Sequence, residues 1–172
     1  MKTITIFVVC VGMFLISANT FAQNATLNSK TSFSAPQGFI KKTDSEKMMI
    51  AKGRQIKAVE LPKELNKASY AYGDLLVTLS SSEKAANVDL AKLKKGLDEF
   101  GSGSSTYSSK IVDVNGIKAL VIENSAENKI RFYATNANGT SLVNGLIEFE
   151  KENKSKASQI LPEILKNIIF KQ

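Results

Sequence analysis

The run from Lys110 to Glu150, KIVDVNGIKALVIENSAENKIRFYATNANGTSLVNGLIEFE, constrains the fold more than any other part of the chain. Apolar, β-branched-rich segments alternate there with the turn sequences NG, SAEN and NANGT. Side chains alternate between the two sides of a strand, and Asn-Gly tolerates the two positive φ angles of a tight hairpin. The spacing predicts strands over Tyr107–Val114, Ile117–Glu123, Ile130–Thr135 and Ser141–Phe149, joined as a four-stranded antiparallel meander. Such a sheet needs something to cover its apolar face.

Two amphipathic segments answer that need. VDLAKLKKGLDEF places Leu90, Leu93, Leu97 and Phe100 at helical spacing, with Asp89 as N-cap and Gly101 just past the end. Beyond EKENKSK, residues Ala157, Ile160, Leu161, Ile164, Leu165, Ile168 and Ile169 form a second apolar stripe. Pro162 lies in that stripe, so the helix either starts close before it or kinks. Packing both helices on the sheet predicts an α+β domain.

The segment SYAYGDLLVTLSSS reads as one further strand ending near Leu79. In FSAPQGF, a Pro-x-Gly between Phe33 and Phe39 reads as a turn that pins two apolar groups at the domain edge. Residues 43–61 support two readings. Thr43-x-x-Glu46 resembles a capping box ahead of KMMIA, which would start a helix. KMMIA and QIKAVEL also read as two strands turned at Gly53 and ended by Pro62. The alternation of Ile56, Ala58 and Glu60 against Lys57, Val59 and Leu61 favours strands.

Met1-Lys2, the apolar run from Ile4 to Ile16, and SANTFAQ have the layout of a secretory signal peptide, with cleavage expected between Ala22 and Gln23. The run falls short of the about 20 apolar residues of a spanning helix, so no stable membrane anchor is expected after cleavage. This divides the chain into a leader (1–22), a polar, flexible lead-in (23–32) and one domain (33–172). The lysine- and asparagine-rich, disulfide-free composition points to a periplasmic or extracellular location in a bacterium.

Cys10 lies in the leader, so the remaining 150 residues contain no cysteine, histidine or tryptophan. That excludes Ser-His-Asp and Cys-His catalysis and the usual zinc, copper and haem ligand sets. No P-loop or dinucleotide-binding motif is present, and NANGT and ENSAEN read as turns rather than calcium loops. Neither a cofactor nor a metal is expected. An enzyme remains as an alternative in two forms. One is a carboxylate-dependent hydrolase of envelope glycan using two of Asp113, Glu123 and Glu148; the other is a Ser-Lys dyad.

The net charge of +7 falls to +6 when Lys2 leaves with the leader, with 22 basic residues set against 16 acidic ones. Arg54 and Arg131 are the only arginines, and acids are interspersed among the lysines. This is a solvated surface rather than a nucleic-acid reader, though it attracts anionic envelope material at long range. Tyr70 and Tyr72 share one side of their strand, and Arg131 and Tyr133 share one side of theirs. If those sides coincide, the four form an aromatic and cationic ligand-binding patch. A carrier of apolar ligands is a further alternative, with a closed cavity lined by Phe132, Leu146 and Ile164.

FSAPQGF near the start, VNGIKALVIE after a helix, and a closing ASQILPEILKNIIF give the chain an order that resembles the PsbP-like family. That family comprises extrinsic photosystem II subunits, their bacterial relatives and Ran-binding yeast proteins of the same α/β/α sandwich. The likeness covers most of residues 33–170. It implies a non-enzymatic antiparallel-sheet domain that docks on partners. The histidines associated with metal binding in the plant members have no counterpart here. The resulting expectation is an exported, non-enzymatic binding or accessory domain of the bacterial cell envelope. Its partner would be an envelope protein or an anionic envelope component.

Overall fold

The computed structural model describes residues 23–171 except 64, 83–86 and 102; the expected leader, residues 1–22, lies outside the described residues. Seven antiparallel strands form the main sheet: β3 (Ile40–Lys42), β4 (Asn66–Tyr72), β5 (Leu75–Ser82), β6 (Tyr107–Val114), β7 (Ile117–Asn124), β8 (Lys129–Thr135) and β9 (Leu142–Glu148). Their order across the sheet is β3-β4-β5-β9-β8-β7-β6. The expected meander is its right-hand part, β6 to β9. Its tightest turn has Asn115 at φ 53° and Gly116 at φ 80°, the backbone for which Asn-Gly is suited.

The helices lie on both faces. One face is covered by α3 (Lys154–Lys166) and by a small sheet of β1 (Ala25–Asn28), β2 (Thr31–Phe33) and β10 (Ile168–Phe170). The other carries α1 (Asp44–Gly53) over β4 and β5, and α2 (Leu90–Gly101) over β6 and β7. The chain is thus an α+β fold in three layers, as the amphipathic segments implied.

Four segments depart from the reading of the sequence. Residues 23–32 include the hairpin β1–β2 rather than a mobile lead-in, because Leu27 and Phe33 are fully buried. The segment from Ser69 to Ser82 is a hairpin rather than one strand. It turns at Gly73, whose φ of 53° suits glycine. Residues 44–53 are helical because the capping box forms: Thr43 Oγ1 accepts from Glu46 N, and Glu46 accepts from Thr43 N (2.8 Å). Residues 56–61 then run without regular structure as a strap across the sheet. Finally, Ile168 and Ile169 do not extend α3. They pair with Phe33 and Ser32 as β10, while Pro162 sits well inside the helix.

The α3 face is the dry core. Phe132 is fully buried and its ring lies over Gly145, where an added Cβ would stand 1.9 Å from the Phe132 ring. The glycine in LVNGLIE therefore makes room for an aromatic ring on the neighbouring strand. Phe33, Phe39 and Tyr70 meet edge to face at 5.3–6.2 Å, so the Pro-x-Gly turn anchors two rings in this core. Overpacking of the Phe132 site makes Gly145→Ala cost about 1–3 kcal/mol. Combined with Phe132→Leu, it loses less than the sum of the single losses. Urea unfolding of the four variants of this cycle measures both statements.

Candidate functional site

The most organised polar group in the molecule lies under α1. Register places Leu76, Thr78, Leu146 and Glu148 on the α1/α2 face of the two central strands. Glu148 closes β9 with no exposed surface, and a buried carboxylate needs a partner. Lys47, on the buried side of α1, supplies it with Nζ 2.7 Å from Oε2. The same ammonium donates to Thr78 Oγ1 (2.8 Å) and to the Val59 carbonyl (3.2 Å). Glu148 Oε1 accepts from Val59 N. Both backbone polar groups of Val59 are therefore held by one ion pair, which clamps the strap to the helix and the sheet.

Between α1 and the strap runs a groove of about 770 Å³. Its walls are Met48 and Met49 from the helix and Val59, Leu61 and Pro62 from the strap. Ser69, Thr78 and the Lys47 amine form its floor. Met49 is 72% exposed, and methionine is a side chain that adapts to varied partners. Lys67 bridges the two lips, donating to the Leu61 carbonyl (3.0 Å) and pairing with Asp44 (2.8 Å). At the rim, Lys52 and Lys63 have no ion-pair partner among the described residues.

The four candidate residues from the sequence do not form one patch. The row Tyr70–Val77–Ile147–Ile130 belongs to the α3 face, and the row Ser69–Thr78–Leu146–Arg131–Ile122 belongs to the α1/α2 face. Tyr70 is a core residue whose hydroxyl donates to the Gln23 carbonyl, and burial pushes it up to about 12. Tyr72 is half-buried, 4.9 Å from Phe39 and capped by the Lys156 ammonium at 5.6 Å. Arg131 and Tyr133 do share a basin on the opposite face, beside α2.

The three carboxylates named from the sequence are held apart from one another. Glu148 is held by Lys47. Glu123 lies on the α3 face near Lys154 (3.8 Å), and Asp113 accepts from Gly116 N in an exposed hairpin (2.9 Å). No two of these face each other across a cleft. The groove does bring hydroxyls to a lysine: Thr78 Oγ1 receives a hydrogen bond from Lys47 Nζ and lies 3.3 Å from Ser69 Oγ. The same Lys47 Nζ is paired with Glu148 Oε2. The three residues expected to line an apolar-carrier cavity are not brought together. Phe132 and Ile164 fill the α3 face, whereas Leu146 points to the other.

No protein-family model matches the chain, and no curated protein matches its sequence. Among solved structures, the chain is similar to the Ran-binding protein Mog1p of Saccharomyces cerevisiae. The identity is 14% and the TM-score 0.43, over 86% of this chain and 94% of that one. A mutant form of protein Mog1 is similar at 15% identity and a TM-score of 0.43, over 87% of this chain and 96% of that one. The resemblance to the PsbP-like family is corrected: no family model places the chain there, and the two solved structures named are both Mog1. The bacterial-envelope role and its envelope partner are withdrawn with it, since no comparison supports either. At this distance the likeness brings no partner to the present chain.

The sequence concealed the groove because its two key residues are charged. A signal was present all the same. Alternation in LVNGLIE puts Glu148 beside Leu146 on an inward face, and the capping box puts Lys47 in the first turns of a helix. Removing one partner of a buried pair costs about 3–5 kcal/mol. Lys47→Met is expected to lose that much, and Lys47→Met/Glu148→Gln to recover at least half of it, read from urea midpoints.

Asp98 ties α2 to β6 beside the Arg131 basin. It pairs with Lys94 and accepts from Ser109 Oγ and Tyr107 OH. Those donors, Lys94 first and Ser109 next, hold its carboxyl down from 3.8 to about 2. The folded state prefers the ionised form, so this contribution is complete above the ordinary value and disappears as pH falls through the lowered one. Thermal melts between about pH 4 and pH 2 should show a smaller loss of midpoint for Asp98→Asn than for the natural chain.

Proposed function

We propose that the chain is a non-catalytic domain that binds a protein partner, with the α1 groove holding an apolar, acid-bearing segment of that partner. The observation that carries this reading is the groove itself. Apolar walls from Met48, Met49 and Leu61 stand on a polar floor whose hydroxyls and ammonium are already hydrogen-bonded. A site of this kind supplies contact area and orientation rather than a reacting group. Lys52 and Lys63 on the rim, which have no ion-pair partner among the described residues, outnumber Glu60 and favour an acidic residue beside the apolar one.

Panning a random peptide library against the domain tests the reading. Selected peptides should combine apolar and acidic residues. Met49→Lys or Leu61→Asp should weaken them at least about tenfold, near 1.4 kcal/mol, measured by fluorescence anisotropy. Lys110→Gln on the far edge strand should leave them unchanged. Peptides that bind all four proteins equally would overturn the assignment of the groove.

A further inference from the structure

A second site lies on the same sheet face, under the C-terminal end of α2, and it does not depend on the α1 groove. Arg131 stands in the middle of β8 with Ile122 and Leu146 as its cross-strand neighbours. Its side chain therefore rises from an apolar floor. It is exposed, and among the described residues it makes no hydrogen bond or ion pair. A guanidinium presents a planar fork of five donors, shaped for two oxygens in one plane.

The surroundings form a basin of about 310 Å³, walled by Leu97, Phe100, Tyr133 and Lys129. That volume is at the small end of the range for ligand sites, roughly 300–1,000 Å³. The local charge is positive. Lys129 is only 7% exposed and has Glu127 at 3.7 Å, and among the described residues Arg131 has no counter-ion. The nearby acid of α2, Asp98, is already engaged by Lys94, Ser109 and Tyr107. At the mouth Phe100 is 90% exposed, an aromatic surface with nothing on it. Its place three residues after Leu97 continues the inward stripe of α2 over the basin rather than over the sheet.

We infer that this basin binds a small organic carboxylate carried on a planar apolar frame, with Arg131 forking onto the carboxylate and Phe100 and Leu97 covering the frame. One uncompensated cation matches a monoanion. A phosphate dianion would meet Glu127 at the rim without a second free cation. The ligand chemistry is the same whether the carboxylate belongs to a free acid or to the C-terminal residue of a peptide.

Amide chemical-shift titration of the whole protein decides the matter, with phenylacetate as the free acid and acetyl-Ala-Phe as the peptide terminus. 2-Phenylethanol serves as the neutral counterpart. Phenylacetate, the peptide or both should produce saturable shifts confined to residues 97–101 and 129–133. 2-Phenylethanol should bind at least tenfold more weakly. Arg131→Met should weaken the carboxylate at least tenfold, and Arg131→Lys should restore part of the loss. Binding by phenylacetate alone identifies a free acid, and binding by the peptide identifies a chain terminus. The inference is overturned if neither carboxylate saturates, if 2-phenylethanol binds equally well, or if the shifts fall on residues 44–63 instead.

Discussion

The ion pair between Lys47 and Glu148 sets the layout of one whole side of the molecule. Glu148 ends a central strand and has no exposed surface, so folding removes it from water completely. Such a carboxylate is tolerated only where a cation and hydrogen-bond donors await it. Lys47 and Val59 N meet that demand, and each brings its segment along. The helix must lie with Lys47 inward, and the strap must cross the sheet at Val59. The groove between them is what remains when both segments are held at a fixed distance by one carboxylate. A strap without regular structure also has to place its backbone polar groups somewhere. Here the carbonyl and amide of Val59 go to the two members of the pair.

The two faces of the sheet divide the work of the fold. The α3 face carries the larger apolar core, and its tightest point, Phe132 over Gly145, admits no extra atom. Close packing of this kind carries most of the stability of a domain this size. The other face is covered only in part, by two short helices at its two ends. Between and beside them lie Lys47, Glu148, Lys129 and Arg131. A face that is not required to be dry can keep cations and carboxylates, and recognition uses those groups.

The legibility of the fold followed the signal each segment carried. The meander was readable because Asn115-Gly116 and the strict alternation beside it report the same structure independently. The helix α2 was readable because Leu90, Leu93 and Leu97 repeat at the helical period. The helix α1 was not, because its buried positions are Lys47 and Ala51 while Met49 faces out. With a charge on the inward face, its apolar residues cluster in sequence as MMI, which resembles a strand. The correct sign lay in Thr43 and Glu46, whose mutual hydrogen bonds act on backbone geometry rather than on hydrophobic pattern. The β1–β2 hairpin escaped notice because QNATLNSKTS contributes one large apolar side chain, Leu27. Its burial depends on β4 and β5, far along the chain.

The site was less legible than the fold for a reason inherent in strands. Two residues at i and i+2 share a side, which is true of Tyr70 with Tyr72 and of Arg131 with Tyr133. Which side of the sheet each pair faces depends on register carried through the intervening strands. Tyr70 reaches β8 through Val77 and Ile147 and arrives opposite Ile130, one residue out of step with Arg131. A single residue of register is enough to send two pairs to opposite faces. In a sheet covered by helices on both sides, hydrophobic alternation does not break that ambiguity, because both faces hold apolar residues. The position of Arg131 between Ile122 and Leu146 becomes visible only once the strands are aligned, and its apolar setting is a property of the row rather than of the residue.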